Sequence, residues 1–208
     1  MKTILLLLSI LILQIQIVQS EQVDLGLSFK LNKSLALMPF ENIRTNSDDE
    51  DGYKLFDGTF GFAADLLYKS KRRAYFNLSI DYNILSVNDE FNSLNGTELS
   101  GSFLKVMFGG IAYMDPPDEF TPYIGYGVGF IFVNSNQNEI EYYDEYGSEV
   151  IKGDLISDFT LSLDVKAGLL IPINEKFSLT TDLDFGIYFA QYLGLVPRLQ
   201  VGGVYWLD

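Results

Sequence analysis

Two acidic residues, Asp182 and Asp184, form the pair in this 208-residue chain that comes closest to a catalytic motif. Paired carboxylates can act as general acid and general base, as in a carboxylate-only hydrolase. Residues two apart on a strand share a face, however, and carboxylates in an ion-paired interior are far more often structural. The sequence has no His and no Cys, which excludes His-dependent catalysis and thiolate nucleophiles. We therefore expect no enzyme activity, no cofactor and no metal site.

Together with Asp182 and Asp184, the other charged residues of the alternating segments suggest a structural network. Single cations recur among short acids, Ser, Thr, Asn and Gly on one face of each segment. A face in water is normally dense in Lys and Glu, whereas short acids and isolated long cations suit a narrow interior where charges find partners. The expected interior ion-pair network consists of Asp24, Lys30, Asp65, Asp81, Lys105, Asp164, Lys166, Asp182, Asp184 and Arg198.

Segments of strict apolar–polar alternation position these side chains, and this period is that of β-strands. Short connections alternate with long polar ones, as in bacterial outer-membrane barrels, and closure of the sheet leaves no unpaired backbone group in a bilayer. The predicted fold is all-β, an eight-stranded antiparallel up-and-down transmembrane β-barrel. Its predicted strands span residues 23–32, 56–68, 74–84, 99–113, 122–133, 158–173, 177–189 and 198–207.

The apolar face is predicted to point outward into lipid, because the polar face has the composition of a narrow interior. The alternative is a soluble exported carrier of the lipocalin type, with the apolar face inside. Aromatic residues at the turn-side strand ends favour the membrane interpretation, since such residues form interfacial girdles. The expected girdle consists of Tyr68, Tyr75, Tyr113, Phe120, Tyr123, Phe177, Tyr205 and Trp206.

The first twenty residues have the features of an export signal. A single Lys2 precedes an apolar run that ends near Ser20, too short for a confident membrane helix. We expect a cleaved signal peptide at 1–20, a barrel domain at 21–208, and a bacterial outer-membrane location. The formal net charge of −14 excludes nucleic acid as a partner, since that interaction needs cations against phosphate.

Two stretches resemble a known superfamily. Residues 120–130 (FTPYIGYGVGF) and 201–207 (VGGVYWL) are similar to the fifth and closing strands of the outer-membrane barrels that include outer membrane proteins A, X and W. The resemblance implies an eight-stranded barrel and leaves the subfamily open. The chain departs from the family at its end, where Leu207 and Asp208 replace the usual terminal Phe, a residue that in the family is part of the assembly signal.

The long loops are acidic and offer the clearest contact surface. Tyr142, Tyr143 and Tyr146 lie among acids in the third loop, a composition favoured at interfaces. A divalent-cation site is the alternative interpretation of the acids, but a solvated, mobile loop is favoured. The expected protein is a monomer in outer-membrane lipid with a structural or adhesive role toward host or extracellular ligands, its lumen closed by salt bridges. The alternative function is a conduit for small apolar molecules.

Overall fold

The computed structural model describes residues 25–38, 56–89, 99–117, 119–136, 139–144, 147–152, 158–189 and 193–207. Within these ranges the chain is almost entirely β-structure. In chain order the strands are β1 (Leu25–Ser34), β2 (Phe56–Lys71), β3 (Ala74–Val87), β4 (Gly101–Tyr113), β5 (Thr121–Ser135), β6 (Glu139–Asp144), β7 (Gly147–Lys152), β8 (Asp158–Asn174), β9 (Phe177–Tyr188) and β10 (Gly194–Leu207).

Eight of these strands form a closed antiparallel barrel in the order β1-β10-β9-β8-β5-β4-β3-β2. The first and last barrel strands close it, with Leu25 opposite Leu207 at one end and Ser34 opposite Arg198 at the other. The prediction of an eight-stranded antiparallel barrel is confirmed. The strand ends differ from the expected ones by a few residues. Backbone pairing carries β2, β3 and β5 past their predicted ends, whereas β4 begins two residues later than predicted.

The two faces of each strand differ as the alternation predicts, and the apolar face is outside. Phe29 on β1 is 69% exposed, while its neighbour Lys30 is 4% exposed. The same contrast recurs around the barrel, with large apolar side chains outward and Asp, Lys, Ser, Thr and Asn inward. A soluble barrel has the opposite arrangement. The exterior is therefore the surface that lipid would cover.

The interior is packed in three layers along the barrel axis. We call the side with the connections 72–73, 114–120 and 175–176 the turn end, and the opposite side the loop end. The charged layer in the middle lies between two apolar clusters. The loop-end cluster contains Leu37, Phe56, Leu85, Leu99, Phe103, Ile131, Val133, Tyr188, Leu193 and Val196. The turn-end cluster contains Leu67, Tyr75, Ile111, Tyr113, Tyr123, Leu170 and Val204, with Trp206 packed against it.

The expected aromatic girdle is half wrong. Tyr68, Phe120, Phe177 and Tyr205 are exposed at the turn end, as predicted. The other four belong to the turn-end cluster inside the barrel. Whether an aromatic residue lies inside or outside depends on its position along the strand, because successive side chains point to opposite faces of the sheet. Inward and outward aromatics therefore occur at the same level of the barrel axis. The inward four are Tyr75, Tyr113, Tyr123 and Trp206.

The third loop contains a feature that the sequence pattern did not predict. Strands β6 and β7 form a separate two-stranded sheet in register from Glu139 opposite Lys152 to Asp144 opposite Gly147. These residues have the composition of a solvated loop, yet their backbones pair as two short strands. The mobility of the loop stays a prediction. Within the described ranges, the structure has no α-helix with the length and hydrophobicity needed for a membrane span.

The charged interior as candidate functional site

The charged layer is assembled by strand register. Asp184 on β9 lies opposite Lys166 on β8 and opposite Arg198 on β10. Across the barrel, Asp81 on β3 lies opposite Lys105 on β4. Each position has inward parity, so directly opposed charges meet in the lumen. Two such ladders on opposite walls bring distant parts of the sequence to one level of the barrel.

Arg198 lies at the centre of the larger cluster and is fully buried. Its guanidinium donates to the carboxylates of Asp81 and Asp184. A third carboxylate, Asp164, has its Oδ1 3.5 Å from Arg198 Nη2. Only Arg offers several donors in a fixed planar fork, which allows one side chain to join three strands. Arg198 thereby connects β3, β8 and β9 to its own strand, β10.

Lys105 shares the carboxylates of Arg198. Its Nζ lies 2.7 Å from Asp164 Oδ1, 3.5 Å from Asp81 Oδ2 and 3.9 Å from Asp184 Oδ2. The Tyr188 ring separates this cluster from the loop-end apolar layer. Its centroid lies 5.4 Å from Lys105 Nζ and 5.8 Å from the Arg198 guanidinium carbon, within cation–π range. The larger cluster therefore has two cations and three carboxylates, and the Tyr188 ring covers it on the loop-end side.

Amide side chains add further hydrogen bonds to the larger cluster. Asn32 Nδ2 and Asn83 Nδ2 donate to Asp81 Oδ1 over 2.9 and 2.6 Å. Gln200 Nε2 donates weakly to Asp184 over 3.4 Å. These three amides were not among the predicted network residues. The alternation of the strands could have predicted them, because all three have the same inward parity as the charged residues beside them.

A smaller cluster surrounds Lys30. The Lys30 Nζ lies 2.6 Å from Asp182 Oδ2 and 3.0 Å from Asp65 Oδ2. Asp182 and Asp184 therefore share a strand face but serve different cations. The pair that resembled a catalytic dyad is divided between two ion-pair clusters, and each carboxylate is at most 3% exposed. Such an arrangement can hold strands together but gives a substrate no access.

Lys166 occupies the space between the two clusters. Its side chain is 4% exposed, and no described carboxylate lies within 4.0 Å of its Nζ. It interacts with Asp65 of the smaller cluster and Asp184 of the larger one at longer range. Gly125 opposite it leaves room for the lysine stem, since a Cβ there would lie 2.8 Å from Lys166 Cγ and Cε. Each cluster has one surplus carboxylate, and Lys166, which lies between them, offsets one of these two negative charges.

The buried charges of the described barrel number five carboxylates and four cations. Desolvating so many charges costs free energy that ion pairing only partly recovers. The apolar clusters above and below exclude bulk water and thereby strengthen each pairing. Among the described residues, no group of three or more acids has a geometry that could hold a metal ion.

Of the predicted network, the structure brings nine residues into this layer. Asp24 lies outside the described residues. The predicted loop contacts fall partly outside as well: Tyr142 and Tyr143 lie on β6, where only the backbone is described, and Tyr146 lies between the hairpin strands in the undescribed pair 145–146. The nine predicted network residues that lie in the charged layer are Lys30, Asp65, Asp81, Lys105, Asp164, Lys166, Asp182, Asp184 and Arg198.

Comparisons with protein-family models and with curated proteins found no match. Solved structures match in fold. Outer membrane protein OprG from Pseudomonas aeruginosa aligns with TM-score 0.55 and 13% identity over 89% of this chain and 96% of that one. A major outer membrane protein from Thermus thermophilus aligns with TM-score 0.54 and 11% identity over 90% and 100%. For Neisserial surface protein A the values are 0.52 and 10%, over 88% and 96%. The chain therefore has the fold of outer-membrane β-barrels.

Proposed function

We propose that this chain is an outer-membrane surface protein with a structural or adhesive role, exerted through its loop end. The observation that carries the proposal is the β6–β7 hairpin, an ordered sheet outside the barrel at the loop end. Residues 139–152 contain five acids and one lysine. Cross-strand pairing holds the backbone of this acidic, tyrosine-containing segment at lower entropic cost than a disordered loop would. A hairpin of this kind is suited to contact with another surface.

The exterior supports placement in a membrane. Outward apolar residues continue around all eight barrel strands, from Phe29 on β1 to Tyr205 on β10. An exposed apolar belt of this extent on a soluble protein would drive association, whereas outer-membrane lipid covers it. Neisserial surface protein A, one of the structures similar in fold, is by its name a surface protein. We propose that the mature chain is a lipid-embedded monomer, exported by a cleaved signal peptide at 1–20.

The interior supports a closed barrel. Three layers of buried side chains fill the lumen of the described barrel, and the middle layer is held by ion pairs. Eight strands enclose a space that side chains can fill. No feature of these layers favours the alternative, a conduit for small apolar molecules, because such a molecule would have to cross a charged layer.

A cell-adhesion assay tests the proposed role. Cells that express the protein are expected to bind extracellular-matrix or host-cell surfaces more than vector-only cells do, and replacing residues 139–152 by a two-residue turn is expected to remove the difference. The matched control shortens residues 91–97, which belong to another long loop. Surface amounts are equalised with antibody against a neutral tag. Equal adhesion of the hairpin variant and the wild type would contradict the proposal.

A further inference from the structure

At the turn end, a cavity of about 720 Å³ opens below the interior layers. All three short connections and the end of β10 contribute to its walls. Its floor is aromatic: the Tyr75 and Trp206 ring centroids lie 5.6 Å apart, and Trp206 Nε1 donates to Ser178 Oγ over 3.0 Å. The floor continues into the turn-end cluster through Tyr113, 5.3 Å from Tyr75. The cavity is thus a vestibule separate from the charged layer.

Charges of both signs line the vestibule at opposite sides. Lys69 lies near the end of β2, Arg72 lies in the β2–β3 connection, and Glu175 lies in the β8–β9 connection. Two strands separate these connections on either side of the ring, so they are diametrically opposed. Glu119 of the β4–β5 connection lies between them. The wall therefore has two cations and two acids.

Arg72 is the cation available to a ligand. It is exposed, and no described carboxylate lies within 4.0 Å of it. Its neighbour Arg73 is already engaged, donating from Nη1 to the Met114 carbonyl oxygen over 2.6 Å. A free guanidinium above an aromatic floor suits a phosphate, which it can bind through two parallel hydrogen bonds.

The vestibule wall also continues onto the lipid-facing surface. Ile173 and Leu207 line the cavity, yet both have outward parity and are exposed. The exposed Phe177 and Tyr205 lie opposite one another on the same turn-end surface, and exposed aromatics of this kind are typical of a membrane interface. A molecule with a polar head in the vestibule could therefore place apolar chains against the barrel exterior without leaving the bilayer.

We propose that the vestibule binds the headgroup of a zwitterionic phospholipid from the turn-side leaflet. Arg72 holds the phosphate, and Glu175 and Glu119 accept hydrogen bonds from a primary ammonium. The two acids disfavour a headgroup with negative charge alone, which makes phosphoethanolamine the better match than phosphoglycerol. This inference rests on the barrel lying in a membrane, as proposed above, and is independent of the role of the loops.

Trp206 provides the readout, because it is the only tryptophan of the chain and lies on the vestibule floor. Protein in maltoside micelles is titrated with lysophosphatidylethanolamine. We expect a saturable change in Trp206 emission that Arg72→Gln weakens about 10-fold, the size expected for one charge-assisted hydrogen bond. Lys71→Gln is the matched control, since Lys71 is an exposed cation at the end of β2, directly before Arg72, but does not line the cavity. It is expected to titrate like the wild type.

Three results would overturn the assignment. The first is no saturable change, and the second is equal weakening in Arg72→Gln and Lys71→Gln, which would indicate general surface charge. The third is an equal response to inorganic phosphate or to lysophosphatidylglycerol, which would remove the requirement for a zwitterionic lipid. Glu175→Gln gives a second test, with a reduced preference for the ethanolamine headgroup expected. Heat-modifiable gel mobility of each variant tests the barrel itself, so failure of the membrane proposal is distinguishable from failure at the vestibule.

Discussion

Arg198 on β10 lies directly opposite Asp184 on β9, and their side chains pair inside the barrel. Arg198 also reaches Asp81 on β3, which is 117 residues away in sequence. One side chain thus connects strands from both halves of the chain. The barrel interior depends on this connection for its charge balance at the level of the larger cluster.

Replacing Arg198 with Met is expected to destabilise the barrel strongly. The change leaves Asp81 and Asp184 buried without their principal cation, and breaking a buried pair in this way costs about 3–5 kcal/mol. The free energy of unfolding from urea titration in lipid vesicles measures the effect. Lys71→Met at the exposed turn is the control and should change stability by less than about 1 kcal/mol. Similar values for the two variants would mean that Arg198 does not hold the interior together.

Gly125→Ala is expected to disturb the charged layer through Lys166. The added Cβ would lie 2.8 Å from the lysine stem, so the stem must move, at a cost of about 1–3 kcal/mol. Gly110→Ala on β4 is the matched control, because its Cβ would meet only the Tyr126 ring at an ordinary 3.4 Å. Urea unfolding of both variants gives the comparison. A Gly110 variant as unstable as the Gly125 variant would show that backbone freedom, and not space for Lys166, explains the effect.

The wild-type barrel is expected to conduct no steady current. The charged layer and both apolar clusters would all have to open for ions to pass. Planar-bilayer recordings on the purified monomer test this directly, with a larger porin as positive control. Stable openings of a single size from the wild type would contradict a closed interior. Replacing Phe103 and Tyr188 by Ala removes a T-shaped pair 5.5 Å apart in the loop-end cluster. The charged layer and the turn-end cluster remain, so this variant is also expected to conduct no steady current.

Moving the tryptophan by one residue should transfer it from the interior to the lipid. Trp206 packs against the turn-end cluster, while Tyr205 faces outward. In vesicles with brominated acyl chains, the variant Tyr205→Trp, Trp206→Phe is expected to be quenched strongly, and the wild type weakly. Quenching by acrylamide from the aqueous phase provides the reference for each protein. The reverse order of quenching would mean that the strand faces are assigned the wrong way round.

The sequence by itself determined the strands, their alternation and which face is polar. Local periodicity carries this information, because a strand places successive side chains on opposite faces regardless of its neighbours. The same parity placed Lys30, Lys105, Lys166 and Arg198 inside. Parity fails at Asp57, which the alternation along β2 would place inside: a register irregularity between Phe56 and Gly58 leaves Asp57 exposed.

Only the tertiary structure decided which charges meet. Lys30 pairs with Asp182 across 152 positions, and no local pattern predicts that Asp184, two residues further, serves a different cation. Strand register and barrel closure set these distances, and both depend on all eight strands at once. The inward aromatic floor and the vestibule have the same origin. Each depends on the height at which side chains from different strands come together, which alternation along one strand does not encode.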